Sequence, residues 1–307
     1  ELPDLDVFFP ADSRLDGFID HRGPTHSLVM HLLAMPVFGE ALRFVDKRLR
    51  DERWLCYGLV LAALWVHGLL DGFTTYGTKL LWPIFTEPIT WSSIFIIDPI
   101  YSLPLFLAFI WSLSTRAVSG PQPLGSRARR VATAGLILST AYIGWTLMAR
   151  ELAETKVLAA LTAADVRYER LMIIPMPFNS LLWRGLAIDG ERYVNVYVSV
   201  LDSGVAPIYQ HPRNMALAAQ LPDRVALDRL IWFSHGYYAM LEEGGAVMAR
   251  DLRLGVDPDY FLTFEIARRN SEELVTVKPV QRSGHRDWSR LDWVWRRIFD
   301  ESAVRDE

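Results

Sequence analysis

The sequence predicts an α-helical transmembrane bundle followed by an α+β extramembrane domain, and two observations carry that prediction. Residues 27–149 hold long apolar stretches with few charges, whereas 150–307 is a mixed composition rich in Arg, Asp and Glu. Stretches in the first part reach the roughly 20 apolar residues that a bilayer crossing needs. Runs in the second alternate or are rich in β-branched and aromatic residues, as strands are. The expected division is a helical membrane domain over 1–150 and an α+β domain over 151–307.

Segment A, 27–42 (SLVMHLLAMPVFGEAL), is apolar but short, with His31, Pro36 and Glu40 inside it. Segment B, 54–70 (WLCYGLVLAALWVHGLL), is cleaner, and segments C, 94–113 (IFIIDPIYSLPLFLAFIWSL), and D, 131–149 (VATAGLILSTAYIGWTLMA), are long enough to span. Trp54, Trp91, Trp111 and Trp145 sit near segment ends, as an interfacial aromatic belt would place them. A soluble bundle with buried helices would suit A and B; the lengths of C and D favour the membrane.

Orientation follows from the loops. Arg43, Lys47, Arg48, Arg50 and Arg53 lie between A and B, and Arg116, Arg127, Arg129 and Arg130 between C and D, while B–C carries only Lys79. By the positive-inside rule the first two loops are cytoplasmic. The start of A, the end of B, the start of C and everything after D then face outward. Residues 119–126 (SGPQPLGS) read as a flexible loop.

After a helical stretch near 151–165, the runs RYVNVYVSVLD, GGAVMARDLRLG and YFLTFEIARR read as strands, and PDRVALDRLIWFSHGYYAML as partly helical. A net charge of −4 without a long basic stripe makes nucleic acid a poor partner. Cys56, the only cysteine, excludes an internal disulfide and a cysteine-rich zinc cluster, and reads as a small buried hydrophobe. The chain opens on ELPDLDVFFP, without a methionine or a visible signal peptide, so a further helix is expected ahead of it.

The outward side gathers the unusual residues. Asp4 and Asp6 precede A, His21 and His26 flank the turn that opens it, and His67 and Asp71 end B at a spacing that sets both on one helical face. Ionisable groups at a bilayer edge are unfavourable unless paired or liganded, so several on one side imply a shared partner. Imidazole and carboxylate without thiolate suit a divalent metal, Zn²⁺ foremost and Mn²⁺ or Fe next, with more than one ion conceivable. Two close ions can generate hydroxide and clamp a phosphoryl group, so phosphoester hydrolysis is the reaction such a site serves best.

Each piece also has a plain reading. His-x-x-x-Asp on a helix is more often a salt-bridged pair, Asp4 and Asp6 can form turns, and Asp98 before Pro99 can cap segment C instead of joining the site. His31 reads as a packed histidine. Thr74, Thr75, Tyr76 and Lys79 suit phosphate contacts or an ordinary polar loop. In the tail, Arg170, Asn179, Arg184, His235, Asp251 and Arg253 are within reach of a lipid headgroup, each more commonly a structural residue. The convergence of separate segments carries the metal reading.

The motifs LPDLD, HRGPTHS, HGLLDGFTTYGTKLLWP and SSIFIIDPIYSLPL, in this order, resemble the YdjM-like family of membrane-bound metal-dependent hydrolases of bacteria. YERLMIIPMPFNSLLWRGLAIDGERY, RLIWFSHGYYAM and DLRLG are similar to the C-terminal half of its longer members. The resemblance implies an inner-membrane enzyme binding a divalent metal, with His21, His26, His67 and Asp71 matching the family signature and Asp4 and Asp6 its LPDxD element. Family members usually begin with a short helix bearing a Thr-His pair, which this sequence lacks. A fainter likeness to zinc-dependent phospholipase C and P1 nuclease favours phosphoester cleavage.

The expected protein is therefore a multi-pass membrane hydrolase, with its site and tail on the periplasmic side. Asp4, Asp6 and Asp71 are the candidate catalytic groups, and Lys79, His235 and Arg253 the candidate contacts to a phosphorylated, lipid-like substrate. The rival readings are a metal-ion transporter and a non-catalytic membrane module stapled by a metal. A peptidase fits less well, because the glutamate of HExxH is missing.

Overall fold

The computed structural model describes residues 2–119, 125–271, 273–282 and 290–305, so most of the loop expected at 119–126 lies outside the described residues. A 3₁₀ turn, Pro3–Phe8, leads into helix α1 (Arg14–Asp20), and a second, Pro24–His26, leads into α2 (Leu28–Val45). The helix α2 pairs with α3 (Arg53–Phe73), and α4 (Pro99–Ser119) pairs with α5 (Ser126–Ala163).

Three of these helices, α2, α3 and α5, are long and apolar enough to cross a membrane; the apolar part of α4 described, Pro99–Ser114, is shorter. Their outer faces are apolar as well. Leu33 and Val37 of α2, Val66 of α3, Phe106 and Phe109 of α4 and Ile137 of α5 are all exposed, which suits hydrocarbon and would be unfavourable in water. Pro36 and Pro104 sit inside α2 and α4, as membrane helices tolerate.

Segment C differs from its expected bounds. The helix starts at Pro99, because the Asp98 carboxylate accepts from the backbone N–H groups of Ile100 (2.9 Å) and Tyr101 (3.3 Å) and so caps α4. Its other oxygen accepts from Tyr142 of α5 (2.8 Å), which ties the hairpin at this end.

Helix α5 has 38 residues, about 57 Å at 1.5 Å per residue, so it outruns a hydrocarbon core of about 30 Å. It continues unbroken past residue 150. Ala149, Ala153, Val157, Ala160 and Leu161 pack against the first sheet, and Trp145 Nε1 donates to Ser180 Oγ (3.0 Å).

That sheet is antiparallel, in the order β1 (Arg170–Pro175), β2 (Leu182–Asp189), β3 (Arg192–Ser199), β4 (Ile208–Pro212). Helices α6 (Met215–Ala219) and α7 (Val225–Phe233) follow. Strands β5 (Tyr238–Glu243), β6 (Ala246–Asp251), β9 (Thr263–Asn270) and β10 (Glu273–Gln281) form the second sheet in the order β10-β9-β6-β5, and β7 (Gly255–Val256) pairs with β8 (Asp259–Tyr260). Helix α8 (Arg290–Phe299) packs Trp293, Val294 and Ile298 against Tyr197 of the first sheet.

Two pieces of the N-terminal half bind this domain to the helices. Leu15 and Ile19 of α1 lie in one core with Leu230, Phe233 and Phe264. The stretch 74–98 folds back under α1: Lys79 N–H donates to Arg22 O (3.0 Å), Leu28 N–H to Leu80 O (2.9 Å) and Trp91 N–H to Gly72 O (2.8 Å). The open ends of both hairpins thereby meet the N-terminal turns and the C-terminal domain at one seam.

Candidate metal centre

The seam brings together side chains from three elements. The turn at Pro3–Phe8 supplies Asp4 and Asp6, the turn at Pro24–His26 supplies His26, and the last two turns of α3 supply His67 and Asp71. Local sequence explains the second turn. Pro24 starts it, and Ser27 ends it by accepting from Val29 and Met30 N–H as the cap of α2. Gly23 is needed before it, since a Cβ there would stand 2.7 Å from Asp20 O.

Asp4, His26, His67 and Asp71 each offer one ligand atom, all within 4.8 Å of one another. His26 Nε2 lies 3.3 Å from Asp4 Oδ1, 3.3 Å from Asp71 Oδ2 and 3.2 Å from His67 Nε2. His67 Nε2 lies 3.4 Å from Asp4 Oδ2 and 3.5 Å from Asp71 Oδ2. Ligands about 2.0–2.1 Å from a tetrahedral ion are separated by about 3.3 Å, close to the approaches of His26 and His67 to their neighbours, with Asp4 meeting the two rings through different oxygens. Asp71 Oδ2 is buried with no hydrogen-bond partner among the described residues, although imidazole nitrogens stand beside it. A proton on His26 Nε2 or a cation in its place answers that acceptor, and the donor set fits a divalent metal.

Asp6 and His21 stand behind this cluster. His21 Nδ1 donates to Asp6 Oδ1 (2.7 Å), and Asp6 Oδ2 accepts from Thr25 Oγ1 (2.6 Å) and from Arg22 N–H (3.1 Å). Thr25 has spent its proton on Asp6, so its oxygen accepts from His26 Nδ1 (3.0 Å). That relay fixes Nδ1 as the protonated nitrogen and leaves Nε2 to face the cluster.

The electrostatics follow the same contacts. Burial works to raise the Asp6 carboxyl, but hydrogen bonds from His21, His26 and Thr25 outweigh it and hold the group far below the usual carboxylate range. Burial alone would push the His26 imidazole down, yet Asp6 and Asp71 outweigh it and hold it at about 9. Arg22 completes the wall: its Nη2 lies 3.2 Å from Asp71 Oδ1, and its Nη1 donates to Thr74 Oγ1 (2.9 Å).

The remaining candidates are distributed elsewhere. His31 is packed in α2, its Nε2 donating to Thr25 O (2.7 Å). Asp98 serves as the cap of α4 and is not one of the grouped ligands. Lys79 Nζ faces Asp20 (3.5 Å) and the Trp232 ring, His235 Nε2 donates to Pro88 O (3.0 Å), and Asn179 forms a turn by accepting from Leu181 and Leu182 N–H. Arg253 is buried and paired with Asp251 (2.7 Å). It lines a cavity together with His21, Arg22, Thr74, Thr75, Tyr76 and Arg184. Sequence reasoning missed Arg22 and Thr25, whose only signal was their position inside HRGPTHS.

The fold and this cluster together define a membrane protein with a candidate metal centre where its helices meet an extramembrane domain. Residues 1–153, just under half of the chain, match the family described as YdjM inner membrane protein. The match ends before the C-terminal motifs that resemble the family's longer members. No curated protein and no solved structure matches the chain, so the fainter likeness to zinc-dependent phospholipase C and P1 nuclease gains no support there.

Proposed function

We propose that this protein is a membrane-bound, metal-dependent hydrolase that cleaves a phosphoester of an amphipathic substrate at the periplasmic face of the inner membrane. The observation that carries the reading is the cluster itself, in which two imidazoles and two carboxylates stand at coordination spacing with Asp71 Oδ2 unmatched. Zn²⁺ suits these donors best, with Mn²⁺ or Fe next. The periplasmic assignment rests on Arg43, Lys47, Arg48, Arg50 and Arg53 at the α2–α3 connection and Arg127, Arg129 and Arg130 at the start of α5, the ends away from the seam.

A divalent ion held by Asp4, His26, His67 and Asp71 would polarise a phosphoryl oxygen and lower the pKa of a water. The chain's own groups do the rest. Asp6 and Thr25 keep His26 in the tautomer that presents Nε2, and Arg22 holds Asp71 by its Oδ1. Asp4, with its side chain 34% exposed, is the carboxylate most open to solvent and the one best suited to accept a proton from water.

The test is elemental analysis of the purified protein, followed by phosphate release from a panel of phospholipids and polyprenyl phosphates after loading with Zn²⁺ or Mn²⁺. His67→Ala and Asp71→Ala are expected to lower kcat/KM by about 100-fold or more. A fully loaded protein that releases nothing from the whole panel removes the hydrolase reading.

One observation favours a second reading. Four protein donors fill a tetrahedral shell, as they do in structural zinc sites, so a metal that only staples the turns to α3 is the rival. It predicts that His67→Ala lowers stability in a protein with no turnover to lose. The transporter reading is weaker, because His67 and Asp71 end α3 rather than occupy its middle.

A further inference from the structure

A cavity of about 600 Å³ lies across Arg22 from the metal cluster, between α1, the stretch 74–76 and the C-terminal domain. Phe18, Phe95, Ile96, Ile174, Met176 and Phe261 make its walls largely apolar. Its charges are lopsided: Arg22, Arg184, Arg253 and Arg305 line it against one carboxylate, Asp259.

Three of those arginines have unmet donors. Arg184 is 0% exposed, and its Nη2 donates to Leu252 O (2.6 Å) and Arg253 O (3.2 Å). Its Nε and Nη1 have no hydrogen-bond partner, and no carboxylate pairs with it among the described residues. Arg253, 1% exposed, is forked on Asp251 with Nη1 unmatched, and Arg22, 6% exposed, has Nε unmatched. Buried guanidinium groups left without acceptors are unfavourable. Several around one cavity ask for an oxyanion, and the planar fork of arginine matches phosphate.

The apolar wall adds the second half of the ligand. Ile96, 56% exposed, lines the cavity beside Ile97, 63% exposed, just ahead of α4. One edge of the cavity therefore reaches the level where the membrane helices begin. The volume is that of a site for a small organic molecule rather than for a lone ion.

We propose that this cavity binds a phosphorylated amphiphile, with Arg184 and Arg253 holding its phosphate and the Phe95–Ile96 side holding its hydrocarbon. That this ligand is the substrate rests on the hydrolase reading; that it binds does not. Arg22 links the two sites, since the same guanidinium touches Asp71 and lines the cavity.

The test uses the full chain in neutral detergent, stripped of metal by chelation, titrated by calorimetry with hexyl phosphate, 1-hexanol and inorganic phosphate. Hexyl phosphate is expected to bind at least about tenfold tighter than either half alone, from burial of its chain and from the charge-assisted bonds of its head. Arg184→Gln is expected to weaken it about tenfold or more. Because Arg184 also holds two backbone carbonyls, Ile96→Trp is the second variant; it obstructs the cavity with every arginine kept, and is expected to weaken hexyl phosphate while metal content stays at the wild-type level. Equal binding of hexyl phosphate and inorganic phosphate overturns the amphiphile, and equal binding of hexyl phosphate and hexanol overturns the anion site. Tight binding of hexyl phosphate, with no phosphate released from the whole lipid panel by the metal-loaded protein, leaves the cavity proposal standing and removes the hydrolase reading.

Discussion

His26 owes its behaviour to two residues that do not join the cluster. The relay from Asp6 through Thr25 orients its ring, and such outer partners tune metal affinity by about 10- to 100-fold. Thr25→Val, which keeps every donor, is therefore expected to weaken Zn²⁺ binding within that range in competition with a chelating dye; unchanged affinity would show the relay to be idle. The same ring sets a pH dependence. Its folded value of about 9 lies above the ordinary 6.5, so the proton stabilises the metal-free protein fully below pH 6.5, and that stabilisation is lost as pH rises through 9. A metal must displace the Nε2 proton, so the rise in Tm on adding Zn²⁺ is expected to grow between pH 6.5 and pH 9. Melting curves at the two pH values, with and without metal, check it; a rise that shrinks would contradict the assignment. The pair His67 and Asp71 was legible because helical spacing fixes a common face. Asp4 and Asp6 were not separable, because a 3₁₀ turn rotates residues two apart by about 240° and sends them in different directions.

Helix α3 can carry its ligands to His26 only because Gly68 lets the chains touch. A Cβ at this position would stand 2.8 Å from His26 O. In an open helix Gly→Ala stabilises by about 1 kcal/mol, but here Gly68→Ala is expected to destabilise by about 1–3 kcal/mol through overpacking. It should also lower metal occupancy, although no ligand is changed. Thermal unfolding and elemental analysis of the variant read both effects, and a stabilised, fully loaded variant would refute the close approach. The long apolar helices were readable for the same reason that α3 is: their length and composition exceed what a soluble helix needs. Segment C was misplaced at its start because hydropathy counts Ile94–Ile97 as helix, whereas the Asp98 cap starts the helix at Pro99. Strand β2 escaped notice because it is buried along nearly its whole length under α5 and against the neighbouring sheet, so no alternation survives in its sequence. At seven residues, α1 was too short to show a period.

At the scale of the whole molecule, charge and chemistry are segregated along the helices. The cluster and the arginine-lined cavity lie at the seam where both hairpins open. The basic residues of the α2–α3 connection and of the start of α5 lie at the opposite ends. A short basic connection resists translocation, and the proposed periplasmic side of the site rests on this polarity. Cysteine labelling tests it with little background, because Cys56 is buried. Glu191→Cys, exposed in the turn between β2 and β3, is expected to react with a membrane-impermeant maleimide in intact spheroplasts. Arg129→Cys, exposed at the start of α5, is expected to react only after permeabilisation. The reverse pattern would put the cluster and the cavity on the cytoplasmic side. Their phosphorylated ligand would then have to come from the inner leaflet, and the periplasmic assignment would fall while the geometry of the site stood.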